Sequence, residues 1–186
     1  NAPPTATMVP WFASQFHSNL ALNMFWAPLL PYGNFNCALG HCPELVGGKH
    51  GRGARMIDAN TTMLQSVAPI NLGSSFTVAL WARRTRNNMA ETLVSHGSTF
   101  LTGQLFSMGF TNTNNVVCSN YNDELLSNTL INDREWHHYA CVVSGNQRRL
   151  YIDGVLDNTQ TSSNPNYAQN STMYVGRRVD SLRAFD

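Results

Sequence analysis

Apolar and polar residues alternate along much of the chain after residue 54, which is the pattern of β-strands with one buried face. The clearest case is 76–84, where Phe76, Val78 and Leu80 share one face. By the same criterion, strands are predicted at 54–58, 76–84, 91–96, 105–110, 115–119, 136–144, 148–152, 155–158 and 172–176. Short strands at this spacing, with little helical periodicity after residue 50, predict an all-β sandwich or barrel.

The residues between these strands favour tight turns. Asp153-Gly154 lies between two apolar runs and predicts a two-residue type I′ hairpin, because both central positions of that turn need positive φ. The segment 144–147 (SGNQ) joins the preceding pair of runs. No linker divides this part of the chain, so one β-domain is predicted from residue 33 to residue 186.

Residues 1–32 differ from the rest, because they combine five prolines with a dense set of large apolar side chains. Phe12, Phe16, Leu20 and Met24 are spaced four residues apart, which is compatible with a short helix. The alternative is an irregular, extended arm that lies on this domain or on a neighbour. Polar residues interrupt the apolar run, so no membrane-spanning helix is predicted here.

The surface composition is unusual for a chain of 186 residues, the length of one domain. Charged residues make up 12%, the net charge is +1, and there are 21 Asn residues but a single Lys, Lys49. A charge near zero argues against nucleic acid or a polybasic membrane contact as partner. The shortage of Lys indicates either a surface covered by partners or a bias in composition.

Four cysteines suit a compartment in which disulfides form. Cys37 and Cys42 are close enough for a local disulfide loop, and no second ligand pair completes a zinc site there. Cys118 and Cys141 lie in two predicted strands, where either a bridge or two buried thiols would fit.

Two N-glycosylation sequons begin at Asn60 and Asn170. In a chain so rich in Asn and Thr, two matches also arise by chance. Taken with the cysteines, they predict a protein that is secreted or lies at a cell or particle surface.

The order of several segments resembles the laminin-G-like, concanavalin-A-like jelly-roll family, which includes the pentraxins. The matching segments, in chain order, are 48–58 (GKHGRGARMID), 76–83 (FTVALWAR), 93–97 (LVSHG), 136–143 (WHHYACVV), 150–154 (LYIDG) and 173–176 (MYVG). This resemblance implies a sandwich of two antiparallel sheets. Trp81 and Trp136 are large enough to fill the space between them, about 10 Å wide.

The family pattern continues with one further strand after the segment at 173–176, where this sequence ends. We therefore expect the domain to lack its last strand, which would come from further sequence or from another chain. The sheet would then have an unpaired border, and such borders invite pairing.

The acidic residues do not form the pattern of a glycosidase. Asp123 and Glu124 are neighbours and point to opposite faces if extended, while a glycosidase needs two carboxylates facing one bond. His137 and His138 likewise face opposite ways and cannot hold one metal together. A non-catalytic protein is predicted.

Two Asn-rich loops carry an aromatic ring of the kind that stacks on sugars. One contains Tyr121 with Asn120 and Asn122, and the other contains Tyr167. Either loop could equally be a plain connection whose Asn residues tolerate positive φ.

Calcium is the ion that the family resemblance implies, bound at one rim of the sandwich by loop oxygens. Its candidate ligands here are Asp58, Asp123 and Glu124, with Asn122 beside them. The alternative is that these are ordinary polar loop residues.

Two functions remain open at this point. The first is extracellular recognition or adhesion, with a glycan or a protein bound at the loop rim. The second is a structural subunit of a large extracellular or surface assembly, such as a fibre, coat or appendage. In that case the N-terminal arm and the incomplete sheet border would join neighbouring subunits.

Overall fold

The computed structural model describes residues 35–37, 42–56, 62–97, 104–162, 166–167, 169–178 and 185. These residues form strands and connections without any helix, so the predicted all-β fold is confirmed. Within them, no helix has the length and hydrophobicity needed to cross a bilayer. The strands are β1 Phe35–Asn36, β2 Glu44–Gly47, β3 Arg52–Arg55, β4 Leu64–Ser66, β5 Ser75–Ala82, β6 Glu91–His96, β7 Phe106–Phe110, β8 Asn115–Asn120, β9 Glu124–Leu130, β10 His137–Ser144, β11 Gln147–Ile152, β12 Val155–Thr161 and β13 Met173–Val175.

The strands form three antiparallel sheets. The largest has seven strands in the order β1-β4-β13-β6-β7-β8-β9, and the second has four in the order β12-β11-β10-β5. The third is the β2–β3 hairpin. This arrangement confirms the predicted jelly-roll sandwich and adds a small third sheet that the sequence pattern did not indicate.

The core lies between the two larger sheets. Aromatic rings from both sides pack edge to face, with Phe110 of β7 against Tyr139 of β10 at 5.4 Å between ring centroids. Cys118 of β8 and Cys141 of β10 form a disulfide across the core, and both are fully buried. Of the two alternatives left open for this pair, the structure has the bridge.

Trp81 and Trp136 do not fill this core, contrary to the sequence-based expectation. Leu80 packs on the core, so its neighbour Trp81 points to the outer face of the four-stranded sheet. There its ring contacts His138, at 5.5 Å between centroids, and lies under Lys49 of the β2–β3 turn. Trp136 precedes β10 and stays partly exposed. Tyr and Phe rings fill the interior instead.

Strand β9 was missed because its inward positions are not all apolar. Leu125 and Ser127 both face the core side and are buried. The Ser127 hydroxyl accepts a hydrogen bond from the Val116 backbone N–H and donates to the Thr129 carbonyl. A satisfied hydroxyl therefore replaces an apolar side chain at this position and hides the alternation.

The turn between β11 and β12 confirms the predicted hairpin. Asp153 and Gly154 both have positive φ, at 51° and 82°, as the type I′ turn requires. The predicted strand at 54–58 is shorter and earlier in the structure, at Arg52–Arg55, where it pairs with β2.

The predicted arm at 1–32 lies outside the described residues, and so does much of the segment after residue 178. At the sheet border, β5 is the last strand of the four-stranded sheet, and no described strand pairs with its other edge.

Candidate functional site

A cavity of about 220 Å³ opens on the outer face of the seven-stranded sheet. Its floor consists of small residues from adjacent strands: Thr92 of β6, Ser107 and Gly109 of β7, and Val117 and Ser119 of β8. Its border consists of larger polar residues: Tyr121, Asn122, Glu124 and Arg178. The site is thus a shallow depression in a sheet, bordered at one end by the β8–β9 turn.

The β8–β9 turn holds two adjacent residues in left-handed backbone conformations. Tyr121 has φ of 22° and Asn122 has φ of 66°. Asn tolerates this region, but a bulky residue such as Tyr does so at a cost, and strain of this kind concentrates at functional sites. The Tyr121 N–H donates to the Leu105 carbonyl at 3.2 Å, and the Asn120 N–H donates to the Asp123 carbonyl at 3.0 Å.

A buried ion pair holds this turn from beneath. The guanidinium of Arg148, which is fully buried, lies 2.8 Å from the Asp123 carboxylate. It also donates to the carbonyl oxygens of Cys118 and Asp123, at 2.9 and 2.6 Å. Gln160 and Ser162 donate to the same carboxylate. These bonds fix the position of the turn, and with it the position of Tyr121.

Two of the predicted ligand-binding residues border the cavity, and the other two are buried away from it. Tyr121 and Asn122 border it. Asn120 is fully buried on the core side, where its amide donates to the Ser162 hydroxyl at 3.0 Å. Tyr167 is 2% exposed and packs against Phe76, so its ring cannot stack on a ligand. Burial raises the pKa of Tyr167 to about 12.

Two of the three predicted calcium-binding carboxylates, those of Asp123 and Glu124, lie within the described residues. Asp58 lies outside the described residues. Asp123 already accepts bonds from Arg148, Gln160 and Ser162, which leaves little capacity for a cation. Glu124 borders the cavity. The other carboxylate in the cavity lining, that of Glu91, is paired with the guanidinium of Arg84. Among the residues that the structure describes, no group of three His, Cys, Asp or Glu could hold a metal ion.

Two carboxylates line the cavity, but they are not a catalytic pair. Glu91 is 2% exposed, and its carboxylate lies 3.2 Å from the buried guanidinium of Arg84. A carboxylate that is ion-paired and sealed from solvent can neither donate a proton to a glycosidic oxygen nor attack a sugar. Glu124 alone is exposed to a ligand.

The two adjacent histidines face opposite sides of β10, as expected. His137 lies on the side of Tyr139, and His138 lies on the side of Trp81. His137 Nδ1 is 2.6 Å from the carboxylate of Asp153, and Nε2 is 3.1 Å from that of Asp133. Both ring nitrogens can donate only when the ring is protonated, so this arrangement favours the charged form.

Replacing His137 with Gln is expected to change how stability depends on pH. Burial lowers the pKa of His137, but the hydrogen bonds and charges of Asp153 and Asp133 outweigh burial and raise it above 6.5. The stabilisation is therefore complete below about pH 6.5 and is lost as the pH rises through the raised pKa. Urea unfolding of both proteins from pH 5.5 to 9 measures this.

The difference in unfolding free energy between wild type and His137→Gln should be largest at the acid end of that range and should shrink above pH 6.5. Because His96 is present in both proteins, its own titration cancels in the difference. A difference that is constant across the range would contradict the assignment.

The remaining predicted residues are placed as follows. Cys37 and Cys42 form the expected local disulfide. Asn170 is exposed, as a glycosylation acceptor must be, while Asn60 lies outside the described residues.

Sequence reasoning missed the floor of the site. Thr92, Ser107 and Ser119 come from three strands that are distant in sequence, and only their register brings them together. The sequence signal for the floor was the set of polar residues that alternate with apolar ones on β7 and β8. Such alternation indicates an outer sheet face, but it does not show which strands are neighbours.

The model of the concanavalin A-like lectin/glucanases superfamily named Laminin_G_3 matches residues 58–186. The chain therefore belongs to this superfamily. No curated protein sequence matches the chain significantly.

Several solved structures are similar to this chain. Domain 4 of AbnA, a GH43 extracellular arabinanase from Geobacillus stearothermophilus, solved with arabinotriose, aligns with a TM-score of 0.58 at 14% identity over 77% of this chain and 70% of that one. The heptameric SAP-like pentraxin from Limulus polyphemus aligns with a TM-score of 0.49 at 15% identity over 67% and 62%. The carbohydrate-binding module CBM66 from Bacillus subtilis aligns with a TM-score of 0.41 at 14% identity over 72% and 83%. At these identities the similarity concerns the fold alone.

Proposed function

We propose that this chain is a non-catalytic, extracellular recognition module that binds a glycan in the cavity on the outer face of the seven-stranded sheet. The observation that carries the proposal is the border of that cavity, where a strained, rigidly held turn presents the Tyr121 ring beside the Asn122 amide. Superfamily membership supports it, and so does the sugar found with the arabinanase domain of similar fold. An extracellular location is supported by the two disulfides.

The chemistry of the border suits a sugar. An aromatic ring offers an apolar face to the C–H groups of a sugar ring, and an amide both donates to and accepts from hydroxyls. Few, well-placed polar groups beside an aromatic surface are typical of small-ligand sites. The buried ion pair under the turn holds both groups before the ligand arrives, so little conformational entropy is lost on binding.

Replacing Tyr121 with Ala is expected to weaken glycan binding by about five- to thirtyfold, which corresponds to about 1–2 kcal/mol of lost stacking. A glycan array identifies the ligand, and isothermal titration calorimetry measures the affinity. Tyr121→Phe should retain most of the binding. Tyr151→Ala, on β11 of the other sheet, serves as the control and should bind like wild type.

An unchanged affinity in Tyr121→Ala, with binding present in the wild type, would place the site elsewhere. Release of reducing sugar from the bound glycan would contradict the non-catalytic assignment.

The edge of β5 favours a second candidate function, that of a subunit in an assembly. Phe76, Val78 and Leu80 pack on the core but stay partly exposed. The strand has no proline or charge of the kind that protects sheet edges. If this edge pairs with another chain, the protein should form large particles in analytical ultracentrifugation, and Thr77→Lys should dissociate them. A wild-type protein that sediments as a monomer at all concentrations would exclude this candidate.

A further inference from the structure

The outer face of the four-stranded sheet has small and apolar side chains at its centre. Ala79 of β5 pairs with Ala140 of β10, and Ala140 pairs with Tyr151 of β11. One row further along, Thr77 pairs with Val142. The side chains that alternate with these along the three strands pack in the core, so these five point outwards. Between Tyr151 and the edge of β5, the centre of the face is therefore flat and uncharged.

Three cations lie at the two ends of this face. At one end, the ammonium of Lys49 lies 5.4 Å from the centroid of the Trp81 ring, and the guanidinium of Arg83 lies 5.5 Å from that of the Trp136 ring. At the other end, Arg149 of β11 lies about 14 Å from the level of Trp81 along the strands. None of the three cations forms an ion pair with a carboxylate of any residue that the structure describes.

The strands of this face contribute no negative charge to it. Strands β5, β10 and β11 contain neither Asp nor Glu. The single acidic residue of β12, Asp157, is directed to the other sheet, where its carboxylate accepts hydrogen bonds from the backbone N–H groups of Asn128 and Thr129. Asp153, in the turn after β11, is bonded to the ring of His137 at 2.6 Å.

The charges at the border of the face cancel in pairs. In the β2–β3 hairpin, the Glu44 carboxylate lies 2.7 Å from the Arg55 guanidinium. Glu135, which precedes Trp136, is itself preceded by Arg134, so the two formal charges sum to zero. The three unpaired cations therefore set the sign of the surface. The outer face of β5, β10 and β11, together with Lys49 and Arg83, is called the basic face below.

The residue types on the basic face are those that protein interfaces favour. Tryptophan, tyrosine and arginine are enriched at such interfaces, whereas aspartate and glutamate are depleted. Trp81, Trp136 and Tyr151 are all partly exposed here, and Arg83 and Arg149 supply charge. A positive face of this composition is complementary to a negatively charged protein surface.

We propose that the basic face binds a short acidic segment of another protein, with carboxylates at both ends of the segment and uncharged side chains between them. The carboxylates at one end meet Lys49 and Arg83, and those at the other end meet Arg149. Each contact supplies a charge-assisted bond to a cation that has no carboxylate partner among the described residues. The face belongs to the sheet opposite the glycan cavity, so this inference goes beyond the proposed function and does not depend on it.

The size of the basic face indicates a single segment rather than a whole domain. Three strands of at most eight residues cover about 10 Å across the sheet and about 27 Å along it. That is about 300 Å², well below the roughly 800 Å² that each partner contributes to a stable interface between domains. One extended segment of about eight residues has the length of the face.

The distribution of charge favours a peptide over a uniformly charged polymer. A nucleic acid or a sulfated polysaccharide carries an anion on nearly every unit and would place some of them over Ala79, Ala140 and Val142. Those anions would lose hydration over a surface that offers no counter-charge. A peptide can carry its carboxylates at both ends and apolar side chains in the middle, which is the pattern of the face.

The test is the binding of defined peptides, followed by fluorescence anisotropy at low salt. The first is a dye-labelled peptide of eight residues, with two glutamates at each end and alternating valine and threonine between them. It should bind at least about tenfold more tightly than the same peptide with glutamine in place of glutamate. A peptide of eight glutamates carries twice the charge and should bind no more tightly, because the centre of the face offers no counter-charge.

Variants at the two ends of the basic face locate the binding. Lys49→Gln, Arg83→Gln and Arg149→Gln should each weaken binding of the first peptide by at least about threefold, since each removes one charge-assisted contact. Arg177→Gln, beside Tyr174 on the other sheet, removes an equal charge and is the matched control. It should bind the peptide like wild type.

Several outcomes would overturn the inference. The first is no measurable binding of the acidic peptide at concentrations up to about 1 mM, which is the weakest affinity that the charge pattern should give. The second is equal binding of the glutamate and glutamine peptides, and the third is tightest binding of the peptide of eight glutamates. An effect of Arg177→Gln as large as that of Arg149→Gln would show a response to net charge alone. A heparin octasaccharide that binds more tightly than every peptide, and loses affinity in the same three variants, would assign the face to a sulfated glycan instead.

Discussion

Replacing Arg148 with Met is expected to lower the free energy of unfolding by about 3–5 kcal/mol, the cost of breaking a buried ion pair by removing one partner. The Arg148 side chain is fully buried, and that of Asp123 is 11% exposed. Without the guanidinium, the Asp123 carboxylate keeps only the bonds from Gln160 and Ser162. The backbone carbonyl of Cys118 also loses its donor from Arg148. Urea unfolding followed by tryptophan fluorescence measures the loss.

The neighbouring residue provides the control for this change. Arg149 is on the same strand, and its guanidinium bonds only to Gln147 near the surface. Arg149→Met removes an equal charge and should change stability by less than about 0.5 kcal/mol. In Arg148→Met, the β8–β9 turn should also become less rigid. Glycan affinity should therefore fall even at urea concentrations below the unfolding transition, where the protein is still folded. A stability equal to that of Arg149→Met would contradict the role assigned to the buried pair.

Replacing Gly109 with Ala is expected to cost about 3 kcal/mol or more, the upper end of the range for overpacking. A Cβ at this position would overlap the carbonyl oxygen of Glu91 and lie 2.8 Å from Cα of Thr92. These are backbone atoms of the paired strand, so they cannot move aside as a flexible side chain could. The register shift in β6 beside the pair of Thr92 with Gly109 is where the two strands approach so closely.

A glycine in open space serves as the matched control for Gly109. Gly47 ends strand β2, and a Cβ built there has no atom within 4 Å. Gly47→Ala should therefore be neutral or slightly stabilising, because the unfolded chain loses freedom without a clash in the folded one. Thermal unfolding of both variants beside wild type decides the matter. Equal stability of the two variants would show that β6 and β7 are not packed as described.

The order of the strands could be predicted from the sequence because each β-strand carries its own local signal. The strand at 91–96 was placed to the residue, and those at 76–84 and 136–144 were placed within two residues at each end. The Asp153-Gly154 turn requires positive φ at both positions and has few alternatives. These features depend on residues that are neighbours in the chain.

The direction in which large side chains point was harder to predict. Trp81 and Tyr139 lie in strands with equally clear alternation, and size favoured the tryptophan as the core residue. The sheet instead turns its Leu80 face inward and leaves Trp81 to hold the β2–β3 hairpin on the outside. Which of two apolar faces is buried depends on what the rest of the chain covers, and local alternation does not encode this.

Only part of the candidate site could be predicted from the sequence, because only its turn residues are neighbours in the chain. Tyr121 and Asn122 lie in one turn and were identified together, since an aromatic ring beside an amide is a local feature. Asn120 is only one residue away but belongs to β8, where alternation turns its side chain into the core. The cavity floor unites Thr92, Ser107 and Ser119, which are more than ten positions apart, so only the register of β6, β7 and β8 reveals it.

The central claim is that the outer face of the seven-stranded sheet, beside the β8–β9 turn, binds the glycan. The most direct measurement is a titration of isotope-labelled protein with the best-binding glycan, followed by amide chemical shifts in two-dimensional NMR spectra. The largest shifts should fall on Ser107, Ser119, Tyr121 and Asn122, while Tyr151 on the opposite sheet stays unchanged. Saturable shifts confined to the four-stranded sheet or to the β2–β3 hairpin would contradict the account.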